Sequence, residues 1–102
     1  MGYAVAIAPE PGSDSWTVVL EVNLSRTESN DLFLRGDSML SWPTEGLELT
    51  GDPRLERTSV FVSEVSARPL GMAIRYRQEA QAERAAALLR MQFAQMGIKE
   101  GS

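Results

Sequence analysis

Large apolar side chains at Tyr3, Val5 and Ile7 are separated only by alanine, which is the period of two that a strand requires. Pro9, Pro11 and Gly12, followed by Ser13, Asp14 and Ser15, break that pattern with residues that fix or free the backbone, so a turn is expected there and a hairpin beyond it. The clearest alternation follows. Trp16, Val18, Leu20, Val22 and Leu24 interleave with Thr17, Val19, Glu21 and Asn23, and residues 16–24 read as a strand with one heavy face.

The middle of the chain is more broken. After the polar stretch 25–30, Leu32-Phe33-Leu34 reads as a short strand ended by a Gly36-Asp37-Ser38 turn. Met39, Leu40 and Trp42 suggest another before Pro43, and Leu47-Glu48-Leu49 one more before the Gly51-Asp52-Pro53 turn. Residues 58–65 are rich in β-branched and aromatic side chains, which predicts a strand with Val60 and Val62 on one face and Phe61 and Val65 on the other. Pro69 and Gly71 bracket a turn, and residues 72–76 alternate again, with Met72, Ile74 and Tyr76 together and Ala73, Arg75 and Arg77 opposite.

From about Gln78 the period becomes 3.6. Ala82, Ala85, Ala86, Leu89, Phe93 and Met96 fall on one stripe, and no proline or β-branched residue interrupts the segment before Gly97, so a helix over 78–96 is predicted with Gly97 as a left-handed stop. Glu79 and Glu83 lie early and Arg90 late, as the helix dipole favours. No Ser, Thr, Asp or Asn stands ready to cap the start, which is expected to run on from the preceding strand.

Strands in series followed by one terminal helix define an α+β fold, a single domain over 1–102. The expected architecture is an antiparallel sheet of five to seven strands within about 3–76, packed against the C-terminal helix and able to curl into a partly closed barrel.

Composition narrows the chemistry. The 102 residues include no cysteine and no histidine, which removes zinc sites of the Cys/His type, thiol nucleophiles, disulfides and imidazole bases. The expectation is a protein without catalytic activity, bound metal or cofactor. No apolar run is long enough to span a bilayer, and no charged region followed by an apolar one stands at Met1, so no membrane association is expected and a cytoplasmic setting of bacterial type is. The net charge of −4 is unevenly spread: residues 1–50 hold eight acids against Arg26 and Arg35, and residues 51–102 hold six acids against eight bases.

Several short patterns carry chemistry weakly. Arg35-Gly36-Asp37-Ser38 contains the tripeptide that integrins read, and reads here as a plain turn. Asn23-Leu24-Ser25 has the form of a glycosylation acceptor, yet Asn23 also suits the outward side of a strand. Glu10, Asp14 and Asp37 could converge at one end of the sheet, with a spacing that fits no calcium loop. Ser13 and Ser15 lack a base, and Gly12, Gly36 and Gly46 stand singly, without the pairing a phosphate loop needs. Arg68, Arg75 and Arg77 could form a basic patch for single-stranded nucleic acid, with Tyr76 or Phe61 for stacking. The overall acidity and the alternation that turns Tyr76 away from Arg75 and Arg77 both count against that.

The most informative feature is a helix apolar beyond its core stripe. Ala80, Ala87, Leu88 and Met91 lie on the back or flank, with Arg84, Gln92 and Gln95 as a thin polar cover. With Val19, Phe61 and Val65 expected on the outward side of the sheet, both hints point to association. The expected function is binding another protein, a second copy of the chain included. Phe61, Ala87, Leu88 and Met91 would supply apolar contact, with Arg84 and Arg90 orienting an acidic partner.

Overall fold

The computed structural model describes residues 2–35, 39–48, 58–66 and 71–101. Strand β1 (Gly2–Pro9) pairs antiparallel with β2 (Trp16–Asn23) in the register Val5 to Leu20 and Ile7 to Val18. Chain order then continues through α1 (Arg26–Arg35), β3 (Met39–Ser41), β4 (Leu47–Glu48), β5 (Ser59–Phe61), α2 (Val62–Ser66), β6 (Met72–Tyr76) and α3 (Glu79–Met96). One sheet has the order β1-β2-β6-β4, all antiparallel, and β3 pairs with β5 in a separate two-stranded ribbon.

The period-two patterns decide the faces. Tyr3, Val5, Val18, Leu20, Val22, Met72, Ile74 and Tyr76 are buried on one side of the sheet, and α3 lies on them with Ala82, Ala85, Ala86, Leu89 and Phe93 turned inward. Tyr3 and Phe93 stack at 4.1 Å between ring centroids, and the Tyr76 hydroxyl donates to the Pro43 carbonyl at 2.7 Å. Burial raises the Tyr76 hydroxyl above the ordinary tyrosine range.

The fold is α+β with a C-terminal helix, as the pattern implied, but the strands are divided between two sheets. Among the described residues the four-stranded sheet and the two-stranded ribbon are separate and neither closes, which corrects the expected single sheet of five to seven strands and its partly closed barrel. Two expected strand segments are helical. Leu32 and Leu34 belong to α1, where the Ser25 backbone N–H donates to Glu28 Oε1 and the Glu28 N–H donates to Ser25 Oγ. This reciprocal cap favours a helix over the strand that three apolar residues suggested. Within 58–65, β5 ends at Phe61 and α2 begins at Val62. Val60, Val62 and Val65 are therefore all buried, and Val65 does not share an outward face with Phe61. The turns at Gly36-Asp37-Ser38 and Gly51-Asp52-Pro53, and Leu49, lie outside the described residues.

Helix α3 starts without a short polar side chain because Gln78, extended at φ −129° and ψ 148°, takes the capping position. Its N–H donates to the Gln81 side chain at 3.2 Å. The other end stops as expected: Gly97 adopts φ 79°, and the Ile98 N–H donates to the Phe93 carbonyl at 3.0 Å. The chain then returns along β1. The Tyr3 N–H donates to the Lys99 carbonyl, and the Gly101 N–H to the Tyr3 carbonyl.

Candidate functional site

Helix α3 is held between two elements. On one flank the Gln92 side chain clamps β3: the Ser41 N–H donates to Gln92 Oε1 at 2.9 Å, and Gln92 Nε2 donates to the Ser41 carbonyl at 2.8 Å. On the other flank Arg90 Nη2 donates to the Val5 carbonyl at 3.1 Å, and Arg90 Nε donates to Glu100 at 3.0 Å. Both flanks are thus engaged with the body of the fold, and a third side remains.

That side carries Ala80, Arg84, Ala87, Met91 and Ala94, all exposed. At about 100° per residue these five share one stripe opposite the core stripe. Met91 is 53% exposed, and Leu88 is half-buried at the edge toward β3. Arg84 pairs with Glu45 at 3.1 Å in an exposed ion pair, which holds the guanidinium beside the stripe without neutralising much of its reach into solvent.

The ribbon adds a second apolar feature. Met39 and Phe61 are opposed across β3 and β5, and both point outward, 44% and 43% exposed, while Leu40 and Val60 between the ribbon and the core are buried. Ser41, two residues from Met39, is the residue Gln92 clamps, which ties the ribbon to the flank of α3. Of the residues expected to bind a partner, Phe61, Arg84, Ala87 and Met91 are exposed and Leu88 is half-buried. Arg90 is also exposed but tied to Val5 and Glu100. Met39 was missed by the sequence reading; its signal was its register opposite Phe61, which only pairing reveals.

The other candidates do not assemble. Glu10 accepts from Thr17 Oγ1 at 2.7 Å and from Arg75 Nη2 at 3.1 Å, so it knits the outer sheet face together. Asp14 is exposed, Asp37 lies outside the described residues, and no cluster of three or more potential metal ligands occurs among the described residues. Ser15 Oγ donates to Glu48 at 2.8 Å, and Ser13 Oγ donates to Ser15 Oγ, a short network that fixes the β1 to β2 turn. In the basic patch, Arg68 lies outside the described residues, Arg75 is committed to Glu10, and Tyr76 is fully buried. Arg77 is exposed there. Val19 sits half-exposed on the outer sheet face between Ala6 and Ala73, away from Phe61.

Comparison with known protein families, with curated proteins and with solved structures finds no match to this chain. Among the described residues no helix is long and apolar enough to cross a membrane.

Proposed function

We propose that this chain works by binding another protein, without chemistry of its own, through the outer stripe of α3 and the neighbouring ribbon. The observation that carries the reading is the set of large apolar side chains left uncovered there, Met91 on the helix and the Met39–Phe61 pair on the ribbon. Leu89 and Phe93, on the inward side of the same helix, are completely enclosed. Apolar side chains of this size, flanked by Arg84 and Arg90, have the character of an interface centre with a charged rim. Ala87 and Leu88 complete the apolar strip, and Arg84 favours an acidic group on the partner.

An inhibitor, an immunity protein, a chaperone or an assembly factor would work in this way. The nucleic-acid reading is weaker on the same grounds that weigh on its residues: Arg75 is paired, and the neighbouring aromatic ring of Tyr76 is buried rather than free to stack. The test is capture. Immobilised wild-type protein should retain a partner that Met91→Glu and Phe61→Glu lose, with unfolding midpoints unchanged. Equal retention by all three would overturn the reading.

A further inference from the structure

We propose that the partner on α3 is a second copy of this chain, its own α3 running antiparallel and packed outer stripe to outer stripe about a two-fold axis at Ala87. The inference rests on the reading above and deepens it by naming the occupant. Ala80, Arg84, Ala87, Met91 and Ala94 recur at intervals of four, three, four and three residues, which is the spacing of a helix-to-helix seam. That seam runs along one side of an 18-residue helix. All five positions are exposed.

The two-fold makes the seam complementary to itself. Ala80 meets the partner's Ala94, and Ala87 meets the partner's Ala87, so the helices approach closely at both ends and at the centre. Between these contacts Arg84 lies against the partner's Met91, where the aliphatic stem of the arginine covers the thioether while its charge stays in water. On the flank toward β3, Leu88 faces the partner's Leu88 and closes apolar surface that is only half-buried in one copy.

Charge selects the direction. Glu83 and Arg90 flank the seam on the β1 side. The antiparallel two-fold sets Glu83 against the partner's Arg90 and Arg90 against the partner's Glu83, two pairs of opposite sign. A parallel arrangement sets Glu83 beside the partner's Leu88 and Arg90 beside the partner's Gln95, where no opposite charges meet. Arg90 is already oriented by Val5 and Glu100, so less side-chain freedom is lost when it takes a further carboxylate.

The absence of cysteine from the chain makes the test direct. Under mild oxidation Ala87→Cys should form a covalent dimer far faster than Ala4→Cys, which lies on the outer face of the sheet. Ala80→Cys and Ala94→Cys should each remain uncoupled alone and couple to one another when mixed. Glu83→Arg should weaken the wild-type dimer about tenfold in sedimentation equilibrium, as two modest attractions become repulsions. Ala80→Cys coupling to itself as readily as Ala87→Cys would overturn the antiparallel arrangement. A wild-type chain that stays at 11.2 kDa, with no rapid coupling at Ala87→Cys, would overturn the dimer. In that case loss of another protein on Met91→Glu leaves the broader reading standing, and retention of it removes both.

Discussion

The outer edge of β1 and the outer stripe of α3 are both poor in charge, and the chain treats them oppositely. From Gly2 to Pro9 no residue is charged, and an exposed strand edge of that kind invites pairing with other chains. The edge is nevertheless blunted from within. Residues 99–101 pair with Tyr3, Arg90 covers the Val5 carbonyl, and Pro9 has no N–H to offer. On α3 nothing among the described residues lies over Ala80, Ala87, Met91 or Ala94. The contrast teaches that the backbone of the β1 edge is covered while apolar side chains on α3 are left open, so the proposed association would use side-chain packing and not strand addition at β1.

The largest expected effect separates the two sides of α3 itself. Phe93→Ala should cost about 3–5 kcal/mol in urea unfolding, because the ring is fully enclosed and stacked on Tyr3. Met91→Ala should change stability by no more than about 0.5 kcal/mol. Comparable losses from both would erase the distinction between a core side and a free side.

Gly2→Val tests the closed edge. A side chain at Gly2 would run into the Gly101 backbone, so the returning tail should be expelled at a cost of about 1–3 kcal/mol, and light scattering should begin to rise with concentration as the edge opens. An unchanged scattering profile would show that the tail does not protect β1. A smaller effect is expected from Gln92→Ala, which removes the clamp on Ser41 and should cost about 1 kcal/mol. Its loss would loosen the ribbon carrying Met39 and Phe61, read as faster amide exchange in β3.

The smallest effect is a pH dependence in α1. The Ser25 backbone N–H bonded to Glu28 holds that carboxyl below the ordinary glutamate value of 4.5. A lowered folded-state value contributes stability above the unfolded value and loses it as pH falls through the folded one. Glu28→Gln should therefore lower stability slightly at neutral pH, where the ionised carboxylate contributes in full, and flatten the acid limb below about pH 4.5, where the wild type loses the same contribution. An identical acid limb in the variant would remove Glu28 as its source.

What was legible in the chain follows from how local each signal is. The alternation in β2 and β6 and the 3.6 period of α3 extend over enough residues to state both element and face, and Gly97 has one conformation that ends a helix well. Over Leu32 to Leu34 three apolar residues are too few to distinguish periods, and the decisive information lay upstream in the Ser25 to Glu28 cap. Val62 to Ser66 is a case where packing overrides propensity: β-branched side chains that favour strands are buried from a short helix instead. The candidate site was half visible. Helix geometry separates Met91 from Leu89, but Met39 becomes part of the surface only through its pairing with Phe61.

Sedimentation equilibrium of the wild type beside Met91→Glu measures the central claim, that two copies of the chain dock through the outer stripe of α3. The expected result is a wild-type mass that climbs with concentration from 11.2 kDa toward twice that value, and a Met91→Glu chain that stays at the single-chain mass with the unfolding midpoint the wild type shows at concentrations too low to associate. Two indistinguishable profiles, associating or not, would contradict it.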